Sequence, residues 1–243
     1  APARKTFDIP NHKETFVSIN TDKEASNATV QIFYKNEITP KPTTTVAEYK
    51  NDLIEGLFAQ MLNARLDEYT NSANPPFLFA QSYYGGLIGR GKDAYQSFAM
   101  TAEDKQLEGI KILALENERA KRYGFTQSEL DRAKSLYYSS YEKAYNDRDK
   151  NNSSAYLGQY QTHFLEGEAI PSIEFEFDLV KELLPTITLQ ETNSLIKSYI
   201  KDENRVIILT GPEKEGLKTP TESEVLAALD VSKLEIKPYQ DIV

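Results

Sequence analysis

The side chains best suited to metal chemistry are two histidines, His12 and His163. His163 opens the run H-F-L-E-G, which begins like the inverted zinc motif H-x-x-E-H but carries Gly167 where the second histidine must stand. A catalytic zinc takes three protein ligands, and two histidines one helical turn apart normally supply a pair of them. His12 lies in a polar N-terminal stretch, so the expectation for His163 is a partly exposed helical histidine and no metal site. There is no cysteine, which excludes disulfides, thiolate nucleophiles and cysteine-held zinc or iron–sulfur centres. The nucleophile elbow G-x-S-x-G does not occur. Glu174, Glu176 and Asp178 alternate with Phe175 and Phe177. General-acid work needs a carboxyl shifted by burial, whereas this pattern on a helix reads as a solvated face. Tyr137, Tyr141 and Tyr145 share one helical face as either a core edge or a peptide-binding stripe, because a tyrosine combines apolar area with a hydrogen-bonding tip. No catalytic constellation emerges.

Composition narrows the partners. The chain has 243 residues, 37 acidic against 28 basic, for a formal net charge of -9. Phosphate backbones need a basic surface, so nucleic acid is not an expected partner, and the same charge weakens the case for an anionic membrane. No apolar run approaches the length of a membrane span. The opening APARKTFDIP lacks the apolar core of a signal peptide and reads like a mid-chain linker, which suggests a mature product or an excised fragment.

The elements that would position any site follow from hydrophobic period and breakers. Residues 1–12 read as an entry linker and 13–243 as a single domain. KETFVSIN (13–20) and ATVQIFYK (28–35) alternate as strands, with a connection too long for a two-residue hairpin. Residues 38–45 form a loop, and Thr44 or Thr45 caps a long helix from Val46 that carries Leu53, Leu57, Met61 and Leu66 on one face. Asn74, Pro75 and Pro76 stop it. A strand of large apolar residues from Phe77 to Tyr84 follows. The glycine-dense GGLIGRGKD lacks the lysine-serine or lysine-threonine of a phosphate loop and reads as a hairpin turn into the strand 94–101. Helices are expected over 102–123, from the capping box Thr126–Glu129 to about Asp149, over 152–167, after Pro171, and over 189–200 behind a second box at Thr188. RVIILT (205–210) reads as a strand covered on both faces, and Thr221 opens a last short helix. The order β-β-α-β-β-α-α-α-α-α-β-α describes an α+β fold, a mostly antiparallel sheet backed by a layer of helices.

Three segments resemble the insulinase (pitrilysin-type) zinc peptidases, specifically the domain that follows the catalytic one: TFVSINTDKEASNATVQIFYK, LIEGLFAQMLNARLDEYTNSANPPFLFAQSYYG and RYGFTQSELDRAKSLYYSSYEKAYNDRD. Together they span roughly residues 13 to 211. In that family, sheet-and-helix domains form a clamshell around a peptide. The family's zinc motif has no counterpart here, and YTNSANPPFLF stands where competent partner domains carry an arginine and a tyrosine seven residues apart. The resemblance therefore implies a non-catalytic, inactive-type domain of a longer, periplasmic or otherwise exported metallopeptidase. It implies no catalytic, cofactor or metal residue in this chain, with zinc held in the catalytic domain of the parent protein. Its partners would be the other domains of that peptidase and a peptide substrate, with no nucleic acid and no membrane. Phe77, Phe79, Tyr83 and Tyr84 would face the substrate, offering a sheet edge for strand addition. The competing readings are a stand-alone peptide-binding or assembly scaffold without activity and, lowest, an acid-based glycosidase.

Overall fold

The computed structural model describes residues 8–36, 42–87 and 91–241, so residues 1–7 of the expected linker, the first half of the 38–45 loop and the tip of the glycine turn lie outside it. Five strands form one sheet: β1 (Phe16–Asp22), β2 (Ala28–Lys35), β3 (Phe79–Gly86), β4 (Asp93–Thr101) and β5 (Arg205–Pro212). Among the described residues, seven α-helices accompany it: α1 (Val46–Thr70), α2 (Gln106–Tyr123), α3 (Gln127–Asn146), α4 (Ser154–Glu166), α5 (Ile173–Leu183), α6 (Leu189–Tyr199) and α7 (Glu222–Leu229). The element order is the one the sequence predicts. The strand order is β1-β5-β2-β4-β3. Every pairing is antiparallel except that of β1 with β5, which is parallel. The C-terminal strand thus inserts between the first two, which is why the connection from β1 to β2 is not a tight hairpin.

Local chemistry sets the helix starts. Thr45, Thr126, Thr188 and Thr221 each accept a hydrogen bond from the main-chain N–H three residues on, while a glutamate there returns the bond. Two orphan donors are satisfied per helix, and losing such a cap costs about 1 kcal/mol. Helix α1 ends four residues earlier than its prolines suggest, because Asn71 and Ser72 already bond the carbonyls of Asp67 and Tyr69. The strand after it starts at Phe79, with the Leu78 N–H already bonded to the Met100 carbonyl at 2.7 Å.

The core lies between the sheet and α1, α2 and α7. From β2 it takes Ala28, Val30, Ile32 and Tyr34; from α1, Leu53, Leu57, Phe58, Met61, Leu62 and Leu66. Strand β5 departs from expectation: Ile207 and Leu209 are buried on the helix side, whereas Val206 and Ile208 are only half-buried on the other. An α+β sheet with helices on one side leaves its second face bare.

Candidate functional site

That second face is the candidate site. Cross-strand register builds it as three rows of five side chains. One row runs Phe16, Val206, Phe33, Gln96, Tyr83; the next Ser18, Ile208, Gln31, Phe98, Gln81; the third Asn20, Thr210, Thr29, Met100, Phe79. None of the fifteen is charged, although at 27% charged residues overall about four would be expected by composition. Eight are aromatic or aliphatic, counting Met100. Within the rows, Tyr83 donates to Gln96 at 3.0 Å, Thr29 and Thr210 share a hydrogen bond of 2.6 Å, and the Phe79 and Phe98 rings lie 6.2 Å apart. His12 stacks on Phe16 with centroids 3.9 Å apart. Depletion of charge with enrichment of aromatics and methionine is the signature of a buried contact surface, and large exposed apolar patches mark binding sites.

The four residues expected to face substrate divide between the two faces. Phe79 and Tyr83 stand on the bare face, 46% and 40% exposed. Phe77 does not: it precedes the strand, lies 1% exposed in the core and packs 6.3 Å from the Tyr69 ring. Tyr84 points to the helix side, stacked 4.6 Å from Tyr199 with its hydroxyl bonded by Asn36. Strand alternation separates Tyr84 from Phe79 and Tyr83, whereas Phe77 is buried because it lies before the strand. Strand addition along β3 also meets an obstacle. The Asn63 side chain of α1 accepts from the Ser82 N–H at 2.7 Å and donates to the Ser82 carbonyl at 3.1 Å, so these mid-strand groups are taken.

The histidines stay apart. His12 is held by Asn204, which accepts from its main-chain N–H at 2.7 Å and donates to its carbonyl at 2.9 Å. His163 sits on exposed α4, its ring against the Glu168 carbonyl. Among the described residues, no three histidine, aspartate or glutamate side chains gather for a metal.

The alternating acids do not share one face. Glu174 pairs with Arg148 at 3.1 Å and Asp178 with Lys181 at 2.6 Å in solvent. Glu176 is turned about 200° away from each, as helical geometry requires of i+2. It enters a cavity with Tyr49, Asp52 and Glu168, where burial pushes its carboxyl up. The tyrosine stripe serves packing: Tyr49 donates to Tyr141 at 3.2 Å, Tyr137 stacks on Tyr141, and Tyr145 stacks on Phe177. The glycine-dense turn joins antiparallel β3 and β4. Sequence reasoning missed the contributions of Phe16, Phe33, Phe98 and Met100 to the bare face. Alternation in β2 and β4 contained the signal, but only register shows that the polar-side residues align without a charge.

A layer of helices on one face of a mostly antiparallel sheet is the α+β architecture of insulinase-like peptidase domains. The solved structures carry this likeness. The chain superposes on the first half of the periplasmic protease PqqL from Escherichia coli with a TM-score of 0.85 at 16% identity, covering 99% of this chain and 52% of that one. For the peptidase M16 inactive domain from Pseudomonas fluorescens the TM-score is 0.60 at 14% identity, over 91% of this chain and 48% of that one. In sequence, the chain is 29% identical over 192 residues, 79% of its length, to "Zinc protease PQQL-like" from Arabidopsis thaliana. It spans only 17% of that relative. No protein-family model matches. Sequence likeness and shared fold together support the resemblance to insulinase-like peptidase domains read from the three segments.

Proposed function

We propose that this chain is a non-catalytic domain of a longer, exported insulinase-type zinc peptidase, and that its bare sheet face forms part of the wall of a substrate-enclosing chamber. The observation that carries the reading is the uncharged three-row face. Zinc would be held by the catalytic domain of the parent protein, against which this domain packs. An extended peptide would contact Phe33, Phe98, Phe79 and Tyr83 through side chains, because Asn63 occupies the middle of the β3 edge. Neutral walls of this kind hold varied peptides by area and amide hydrogen bonds without selecting a charge.

The test uses the full-length protein that carries this chain, compared with the chain alone. Zinc by elemental analysis and cleavage of a mixed peptide library are expected from the full protein and from neither assay of the isolated chain. The double substitution Phe33→Lys and Phe98→Lys is expected to lower kcat/KM for long peptides by about tenfold or more while zinc content stays constant. Cleavage by the chain alone, or unchanged kcat/KM in the double variant, would overturn the reading.

A further inference from the structure

We propose that a second site, a cavity of about 440 Å³ on the helix side of the sheet, binds a small carboxylate bearing an apolar group. It lies between α2, α7 and the start of β5, and does not depend on the chamber reading, since the bare face is on the opposite side. Ala114, Ile200, Leu226, Leu229 and Val231 supply apolar walls. Three donors face inward. Tyr34, 4% exposed, has its hydroxyl beside the Arg205 guanidinium and the Asn117 amide. Lys121 lines the wall half-buried, with no ion pair among the described residues.

Three acids, Glu118, Asp202 and Asp230, also line the cavity, and each has its own partners or stands in solvent. Glu118 is bonded to Arg122. Asp230 accepts from the main-chain N–H and the hydroxyl of Ser232. Asp202, its side chain 96% exposed, pairs with Arg205 at 3.9 Å in solvent, a weakly held contact too long for a hydrogen bond. Arg205 gives its Nε–H to the Thr15 hydroxyl at 3.0 Å and also bonds the Tyr34 hydroxyl, which leaves further guanidinium N–H groups. The cavity therefore offers the remaining guanidinium N–H groups, an ammonium and a phenol O–H above an aliphatic wall. That combination recognises a carboxylate with an aliphatic substituent, whose oxygens take charge-assisted hydrogen bonds while its side group fills the apolar half. The volume lies within the range of small-molecule sites, about 300–1,000 Å³. Two sources share this chemistry, a free small acid and the carboxyl end of a peptide.

Titration with N-acetyl-leucine and with a tetrapeptide ending in leucine, each as free acid and as amide, tests the site by amide chemical shifts and calorimetry on the intact chain. Both acids are expected to move the signals of Tyr34, Asn117 and Lys121, with the amides at least about tenfold weaker. Tighter binding of the tetrapeptide identifies a peptide terminus, and equal binding a free acid. Lys121→Gln, a half-buried position whose loss leaves the core intact, is expected to weaken the acids about tenfold, the loss of one charge-assisted bond. Amides binding as well as acids, no shifts at the cavity, or an unaffected Lys121→Gln variant would overturn the proposal.

Discussion

Replacing Arg65 by methionine tests how the helical layer is locked together. Arg65 in α1 is 1% exposed and grips Glu129 of α3 with two bonds, 2.6 Å from Nε and 2.9 Å from Nη2, while Nη2 also donates to the Gly124 carbonyl. Its guanidinium lies between the Phe125 and Tyr239 rings, 4.7 and 4.4 Å from their centroids. Methionine keeps most of the volume but leaves Glu129 buried without its cation, for which about 3–5 kcal/mol is expected. The Thr126 N–H and hydroxyl still bond Glu129 and place the loss towards the lower end. For a domain of this size, 3 kcal/mol corresponds to a fall in Tm of about 6–12 °C. The assay is a double-mutant cycle by urea unfolding with Arg65→Met, Glu129→Gln and the pair. The double variant is expected to recover at least about 1 kcal/mol over the sum of the singles, because it leaves no unpaired charge. A cost below about 1 kcal/mol for Arg65→Met, or strict additivity in the cycle, would refute the reasoning.

Other perturbations follow from single positions. Asn63→Leu removes both side-chain bonds to Ser82; a loss of about 1–3 kcal/mol and faster hydrogen exchange at the Ser82 amide are expected, and unchanged exchange would show the edge is guarded otherwise. Gly124 has φ +69 and ψ -159, and a Cβ there would lie 2.6 Å from Asn193 atoms, so Gly124→Ala should cost roughly 1–3 kcal/mol in chemical denaturation. Glu191 has its carboxyl held down to about 2, first by the Lys50 hydrogen bond and then by the Thr188 N–H. The stability it contributes is present above its unfolded value near ~4.3 and is lost as pH falls towards 2. Because the Glu191 side chain is 36% exposed, Lys50→Met should cost at most about 1 kcal/mol at pH 7, with the gap from the parent protein closing by pH 2 in paired urea titrations.

Much of this protein is written locally. The four threonine-glutamate capping boxes, the stop at Gly124 and the alternation in Ala28–Lys35 are decided within a few residues, because a cap or a strand period needs no distant partner. The element order and the α+β class follow from those signals. The absence of cysteine and the single helical histidine of H-F-L-E-G likewise set the chemistry that the sequence can exclude or leave unsupported. Tertiary structure decided the rest. Only long-range pairing inserts β5 between β1 and β2, since a parallel partner nearly two hundred residues away leaves no local trace. The strand β3 begins at Phe79, two residues later than expected, so Phe77 lies outside the alternation that keeps Phe79 and Tyr83 on the bare face and turns into the core instead. Helical geometry turned Glu176 away from Glu174 and Asp178, which the linear spacing of acids disguised. The charge-free face exists only as rows across five strands drawn from residues 16 to 210, so no window of sequence contains it.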